Sequence, residues 1–181
     1  GSFSSYRRRS VMDVMIRPAE GQDAKPMLAL LHQLQSESTT FMVAQDLGKI
    51  DDVTEADNIS YLQSTTNNII LLAASDEGDL FGIISAAALP NHPREVEVGV
   101  AVLEAYQGFG LAQALIAEML DWATEYSSVD IIRLTVQAHN APAIHIYEKF
   151  GFERVAGSDA IVLDGAGKPV AAFDMMLDIT N

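Results

Sequence analysis

The amino-acid sequence predicts a single α/β domain of the mixed α+β kind, with a mostly antiparallel sheet of about seven strands flanked by about four helices. Three observations lead to this fold class. Apolar runs separated by short turns follow one another across residues 69–103, which is typical of an antiparallel meander. A strand–helix–strand order across residues 96–136 requires a crossover, so it predicts a central parallel pair. The 181 residues, 49% of them apolar, suffice for one hydrophobic core.

The N-terminal part of the chain predicts a tail, a strand and two helices. Residues 1–12, with a basic run at 7–9, are assigned to a tail, and residues 13–181 to the single domain. Residues 14–16 form a short strand. Asp23 is placed as the N-cap of a helix from residue 24, and Thr54 as the N-cap of a second helix. The polar stretch between the helices is interpreted as a loop bordering a substrate site.

The rest of the chain alternates between the two periodicities. Apolar runs predict strands at residues 69–74, 80–89 and 96–103, joined by short polar turns. The remaining elements are a long amphipathic helix at 111–126, a strand at 131–136, a helix at 141–150, and strands at 152–155 and 170–178. Gly151 follows the last helix as its C-terminal cap.

Composition restricts the functional class. The formal net charge of −14 argues against a nucleic-acid partner, which needs a basic face, and favours a cationic substrate such as an amine. The absence of cysteine excludes disulfides and a cysteinyl acyl-enzyme, and the four histidines are too scattered to predict a metal site. No apolar run reaches the ~18 residues of a membrane span, and no secretory signal is apparent. We therefore expect a cytoplasmic protein without membrane contact.

The segment 106–112, Tyr-Gln-Gly-Phe-Gly-Leu-Ala, is the part of the sequence around which the predicted strands and helices are arranged. It joins an apolar strand to a long helix, so it collects free backbone N–H groups at the positive end of a helix dipole. Gly108 and Gly110 carry no Cβ, which lets a ligand approach the backbone closely. The segment predicts an anion site suited to phosphate, although a plain β–α connection has the same appearance.

A second segment makes the pattern specific. Residues Gln107 to Ala112 match the pattern Gln/Arg-x-x-Gly-x-Gly/Ala, which is the phosphate loop of a known family. The downstream pattern Asn-x-x-Ala-x-x-x-Tyr-x-x-x-Gly-Phe of the same family is matched by Asn140, Ala143, Tyr147, Gly151 and Phe152. With these motifs the chain resembles the GNAT superfamily of acyl-CoA N-acyltransferases over residues 14–178. The resemblance implies an N-acetyltransferase that moves an acetyl group from acetyl-CoA to a primary amine by direct attack in a ternary complex.

The resemblance also implies where the cofactor lies. The parallel pair splays apart, the pantetheine arm pairs with the first strand, and the pyrophosphate rests on the amides of 107–112. The implied cofactor-binding residues are Val100, Val102, Gln107, Gly108, Phe109, Gly110, Leu111, Ala112, Asn140 and Ala143. Asn140 also reads as an ordinary helix N-cap. Lys149 and Arg154 are the nearest basic residues in sequence for the 3′-phosphate.

Two residues are implied as catalytic. Tyr147 would protonate or hydrogen-bond the departing thiolate, although a tyrosine at its helical spacing is also typical of a core residue. Glu97 would take the proton of the amine or bind the amine. Glu95 shares its face, and a second carboxylate nearby would raise one pKa. A solvated strand face and a water relay are the alternatives to Glu97. Thr135 occupies the other position at which relatives carry a base, and it cannot serve as one.

Three further hypotheses concern other functions and partners. A dinucleotide-binding enzyme is disfavoured because the third glycine of that fingerprint is missing. A non-catalytic acyl-CoA sensor or regulatory module is the alternative function. The acceptor, a small amine, polyamine, antibiotic, or amine of a peptide or protein, is not identified by any motif. A homodimer through the last hairpin is a further expectation.

Overall fold

The structure is a computed structural model that describes residues 10–11, 13–37 and 52–180. The strands in chain order are β1 Ser10–Val11, β2 Val14–Pro18, β3 Ile69–Ser75, β4 Leu80–Leu89, β5 His92–Val102, β6 Ile131–Gln137, β7 Glu153–Arg154, β8 Ala160–Leu163 and β9 Pro169–Asp178. The helices are α1 Ala24–Glu37, α2 Asp52–Ser64, α3 Leu111–Tyr126 and α4 Ala141–Lys149. No helix in the described ranges is long and apolar enough to cross a bilayer.

All the described strands belong to one sheet, in the order β1-β2-β3-β4-β5-β6-β9-β7, with β8 also pairing with β9. Every pair is antiparallel except β5 and β6. The predicted fold class, a mostly antiparallel mixed sheet with a parallel pair and flanking helices, is confirmed. The two strands beyond the predicted seven are β1, which the sequence placed in the tail, and β8.

Two hydrophobic layers cover the two faces of the sheet. Strand β3 is apolar at nearly every position and buried on both faces, so it contributes to both layers. On one face α3 packs with Leu115 and Met119 fully buried against β3, β4 and β5. On the other face α1 and α2 pack against β3 and β4, with Ile59 fully buried. The sheet is therefore held rigidly at β3–β5, the strands that lead into the glycine segment.

The parallel pair opens into a fork. Pairing between β5 and β6 runs from Glu95–Ile131 to Glu97–Arg133 and ends there, although both strands continue. Beyond Glu97, β5 pairs only with β4, and beyond Arg133, β6 pairs only with β9. The predicted splay of the central strands is thus present, and it opens toward the start of α3.

Neither Asp23 nor Thr54 serves as the helix N-cap that the sequence predicted. Asp23 precedes α1, but its carboxylate forms a bidentate pair with Arg17 at 2.8 Å and accepts the N–H of Glu20 at 2.7 Å. Helix α2 begins at Asp52, so Thr54 lies inside its first turn. The middle of the loop predicted between these helices, residues 38–51, lies outside the described residues.

Candidate active site

A cleft of about 830 Å³ lies in the fork between β5 and β6 and extends to the first turn of α3 and one side of α4. It brings together all the residues predicted for the cofactor and for catalysis except Phe109. These residues come from segments up to 50 positions apart in sequence, Glu97 on β5 and Tyr147 on α4 among them. Their roles remain predictions, whereas their common position is a property of the fold.

One wall of the cleft is an unpaired strand edge. Leu103 N–H donates to the carbonyl of Phe81 at 2.9 Å, so this pair of residues is the hydrogen-bonded kind in the β4–β5 ladder. Because backbone groups alternate sides along a strand, the N–H and C=O of Val98, Val100 and Val102 point away from β4 and into the fork. The ladder with β6 has ended at Glu97, which leaves the backbone of Val100 available to an extended ligand.

Two side chains, those of Tyr106 and Gln107, anchor the loop between β5 and α3. The carboxamide of Gln107 donates from Nε2 to the carbonyl of Val102 at 3.1 Å, which ties the loop to the end of the strand. The ring of Tyr106 stacks on Phe81 with centroids 4.1 Å apart. Gln107 therefore occupies the carbonyl of Val102, and the N–H of Val102 remains directed into the fork.

The glycines of this loop adopt backbone conformations that disfavour other residues. Gly108 has φ +88° and Gly110, the N-cap of α3, has φ +80°, both in the left-handed region. A Cβ at either position would meet no atom of the described structure within 4 Å. The space on the cleft side of these glycines is thus open to a ligand.

Helix α3 directs its free first turn into this space. Its first internal hydrogen bond runs from Ala114 N–H to Gly110 C=O at 3.0 Å, and no side chain of the described residues caps the helix. In the described part of the chain the N–H groups of Leu111, Ala112 and Gln113 have no backbone acceptor. Aligned N–H groups at the positive end of a helix stabilise an anion without needing a basic side chain.

Helix α4 forms the opposite side of the cleft. It begins after Asn140, whose Oδ1 accepts the N–H of Ala143 at 3.4 Å, and Gly151 follows its end with φ +96°. Asn140 is therefore an N-cap, as one of the two interpretations of the sequence held, and it also lines the cleft. Tyr147 packs its ring on Phe152 at 5.9 Å. Burial raises the pKa of the Tyr147 phenol, and its hydroxyl has no hydrogen-bond partner among the described residues.

Glu97 lies where the fork begins. Its side chain is exposed and lines the cleft, on the sheet face opposite the core under α3. On the same face Arg133 lies between Glu95, at 3.7 Å, and Asp174, at 3.3 Å. Glu95 and Glu97 share this face of β5, as expected from the strand alternation, and the carboxylate of Glu95 also lies beside the guanidinium of Arg133.

The structure also gives contacts in this region that no sequence pattern predicted. Glu37, the last residue of α1, accepts the N–H of Glu104 through Oε1 at 2.9 Å, and both glutamates line the cleft. This contact joins residues 67 positions apart, so no local sequence pattern predicts it. Thr135, also at the cleft, donates from Oγ1 to Asp174 at 2.8 Å. Phe109 projects outward from the loop with 51% of its surface exposed.

The cleft fits an acyl-CoA by its shape and its donors. The open strand edge at Val100 suits an amide-bearing arm, and the first turn of α3 with its two left-handed glycines suits a diphosphate. Among the residues the structure describes, no group of three or more histidine and carboxylate side chains is arranged to hold a metal ion.

The mostly antiparallel mixed sheet with one parallel pair and its flanking helices has the fold of the GNAT acetyltransferases. The model of the "Acetyltransferase (GNAT) family" matches residues 28–152, and the chain belongs to this family. It is similar to the L-amino acid N-acetyltransferase AaaT of Escherichia coli K12, with 34% identity over 102 residues, 55% of this chain and 57% of that protein. The matched part of the chain spans about half the length of such curated relatives.

Solved structures of low sequence identity share the fold. A GNAT-family acetyltransferase from Streptococcus pneumoniae superposes with a TM-score of 0.80 at 24% identity, covering 92% of this chain and 99% of that one. The putative acetyltransferase yncA from Salmonella typhimurium, solved with its cofactor acetyl-CoA, has a TM-score of 0.75 at 18% identity, covering 93% and 95%. The described architecture is thus the fold that these structures share.

Proposed function

We propose that this protein is an N-acetyltransferase that moves an acetyl group from acetyl-CoA to a primary amine by direct attack in a ternary complex. The observation that carries the proposal is the fork between β5 and β6, which begins where their pairing ends at Glu97 and opens onto the first turn of α3. Acetyl-CoA supplies the electrophilic thioester. The chain's own backbone holds and orients it, because Val100 and the N–H groups of 111–113 are directed into the fork.

Tyr147 and Glu97 divide the proton transfers in this proposal. Tyr147 donates a hydrogen bond or its proton to the departing thiolate, since the residue lines the cleft, burial raises the pKa of its phenol, and its hydroxyl has no competing acceptor among the described residues. Glu97 receives the proton lost by the attacking ammonium, directly or through water, because its carboxylate lines the cleft at the fork. The bond formed joins nitrogen to the acetyl carbon, and the bond broken is carbon to sulfur.

The charge of the cleft supports a cationic acceptor. Its charged lining residues in the described part of the chain are Glu37, Glu97 and Glu104, and no lysine, arginine or histidine lines it. A net charge of −14 adds an attractive field for a cation over the whole surface. We therefore propose an amine with a second positive charge, such as a polyamine, in preference to a zwitterionic amino acid. The name of the Escherichia coli relative gives L-amino acids as its substrates, so both classes belong in the test.

The test measures thiol release from acetyl-CoA in the presence of spermidine, a peptide amine, an aminoglycoside and several L-amino acids. We expect release only when an amine is present, with the highest kcat/KM for the amine of highest positive charge. Thermal stabilisation by CoA without thiol release toward any amine would favour a sensor instead. A higher kcat/KM for a zwitterionic amino acid would contradict the acceptor class and leave the acetyl transfer intact.

A further inference from the structure

The described arginines are all engaged by carboxylates. Arg17 pairs with Asp23, Arg94 with Asp130, Arg133 with Asp174, and Arg154 with Asp159. Arg154, one of the two candidates for the cofactor's 3′-phosphate, also lies over the ring of Phe173 at 4.0 Å. Its guanidinium is therefore committed to structural contacts, and the residue does not line the cleft.

The described lysines do not line the cleft either. Lys149, the other candidate for the 3′-phosphate, is exposed in the last turn of α4, and Lys25 and Lys168 also lie outside the cleft lining. Coenzyme A carries several negative charges at its nucleotide end. The described residues that line the cleft therefore offer this end backbone N–H groups but no cationic side chain.

Phe109 is the exception to the burial of large apolar residues in this region. It stands between the two left-handed glycines at the tip of the phosphate loop, with 51% of its surface exposed, and it is absent from the hydrophobic clusters. Its neighbours Gly108 and Gly110 line the cleft, so Phe109 is adjacent in the chain to the proposed diphosphate site on both sides. An exposed aromatic ring beside a diphosphate site is a platform on which a nucleobase can stack.

We infer that the described residues hold the nucleotide end of the cofactor without ion pairs, by backbone amides and by stacking of the adenine on Phe109, so that the 3′-phosphate contributes little to binding. This inference rests on the proposed function, because it concerns the same cofactor site. It separates this chain from a site in which lysines or arginines bind the terminal phosphate. It also assigns a role to an exposed ring that the core does not use.

The first experiment compares binding of CoA and 3′-dephospho-CoA to the full chain by calorimetry. We expect dissociation constants within about five-fold of each other, which is the most that one solvent-exposed ion pair contributes. A preference for CoA of about a hundred-fold would overturn the inference, because a built cation site would then be reading the 3′-phosphate. Failure to bind either compound would overturn the proposed function itself.

Salt gives an independent reading of the same property. Between about 10 and about 150 mM NaCl the Debye length falls from about 30 Å to about 8 Å. Screening weakens the repulsion between an acidic chain and an anionic ligand, so CoA affinity should stay constant or increase. A several-fold loss of affinity over this range would contradict the inference, because it would reveal ion pairs that hold the ligand.

The third experiment tests Phe109 directly. Phe109→Ala should weaken CoA binding about ten-fold, as expected for one lost base–aromatic stack, whereas Phe109→Trp should retain it. The control Tyr61→Ala removes an aromatic that is 66% exposed on α2 outside the cleft, and it should change nothing.

A truncated donor separates stacking from a structural role. Acetyl-pantetheine lacks the nucleotide, so Phe109→Ala should leave its kcat/KM unchanged while lowering that of acetyl-CoA. Equal losses for both donors would show that the substitution damages the loop, and they would overturn the stacking role. Equal CoA affinity of wild type and Phe109→Ala would do the same.

Discussion

Replacing Gly110 by alanine tests whether the loop before α3 is a phosphate cradle. Gly110 has φ +80°, where an L-residue is strained by roughly 1–2 kcal/mol. A built Cβ meets no protein atom within 4 Å, so no steric clash adds to this cost. We therefore expect the free energy of unfolding to fall by about 1–2 kcal/mol, and the melting temperature by roughly 2–4 °C for each kcal/mol.

Ligand binding should suffer more than stability does. The new methyl group enters the space in which a phosphate oxygen would accept the N–H groups of α3, and a hydrogen bond to a charged group contributes about 1.5–3 kcal/mol. Loss of one such bond lowers CoA affinity about 10- to 150-fold. Calorimetric titration with CoA measures this loss, and thermal unfolding without ligand measures the strain.

A second glycine provides the matched control. Gly78 lies in the turn between β3 and β4, away from the cleft, with φ +92° and no atom within 4 Å of a built Cβ. Gly78→Ala should cost a similar free energy of unfolding and leave CoA affinity unchanged. If Gly110→Ala lowered stability as Gly78→Ala does and bound CoA as the wild type does, the cradle would be the wrong explanation of the loop.

Three further predictions concern the proposed catalytic residues. Tyr147→Phe should lower kcat by about a hundred-fold, the lower limit for a lost general acid, without weakening CoA binding; an unchanged kcat would remove the donor role. Because burial raises the pKa of Tyr147 above the ordinary 10.0, its hydroxyl stays protonated to higher pH than an ordinary phenol. The tyrosinate absorbance that wild type shows and Tyr147→Phe lacks should therefore develop above that pH, and development below it would contradict the burial argument. Glu97→Gln should reduce kcat/KM most at low pH, where more of the substrate ammonium must lose a proton, and an identical pH profile would assign that step to water.

The sequence was sufficient to predict an element when the pattern of apolar residues within that element alone determines its type and bounds. The bounds predicted for α3 from its apolar stripe are those observed, because a buried helical face repeats with a fixed period. The parallel pair followed from the strand–helix–strand order, whereas its splay was implied by the resemblance to the family, and the pairing that ends at Glu97 agrees with both. Strand β8 was missed because its four residues, Ala160–Leu163, are all apolar, so they show no alternation of apolar and polar side chains, although three of them are exposed.

Side-chain contacts between residues of different strands and helices could not be predicted from the sequence. Asp23 has the composition of an N-cap, but the end of β2 brings Arg17 within 2.8 Å, and a bidentate ion pair outcompetes the cap. In the same way Arg133 lies beside Glu95 only because the β5–β6 register places both side chains on one face. Interactions of this kind depend on pairing between distant strands, which periodicity does not encode.

The net charge of the chain affects the anionic donor and the cationic acceptor differently, because one is bound through short-range contacts and the other is also attracted at long range. A charge of −14 repels any polyanion at long range, which is why the composition argued against a polyanionic partner. A diphosphate at the start of α3 is governed instead by N–H groups within hydrogen-bond distance, where local dipoles exceed a screened distant field. An amine approaching Glu97 and Glu37 experiences both effects with the same favourable sign. An acidic cleft with an uncapped helix at one end can therefore hold an anionic donor locally and still attract a cationic acceptor from a distance.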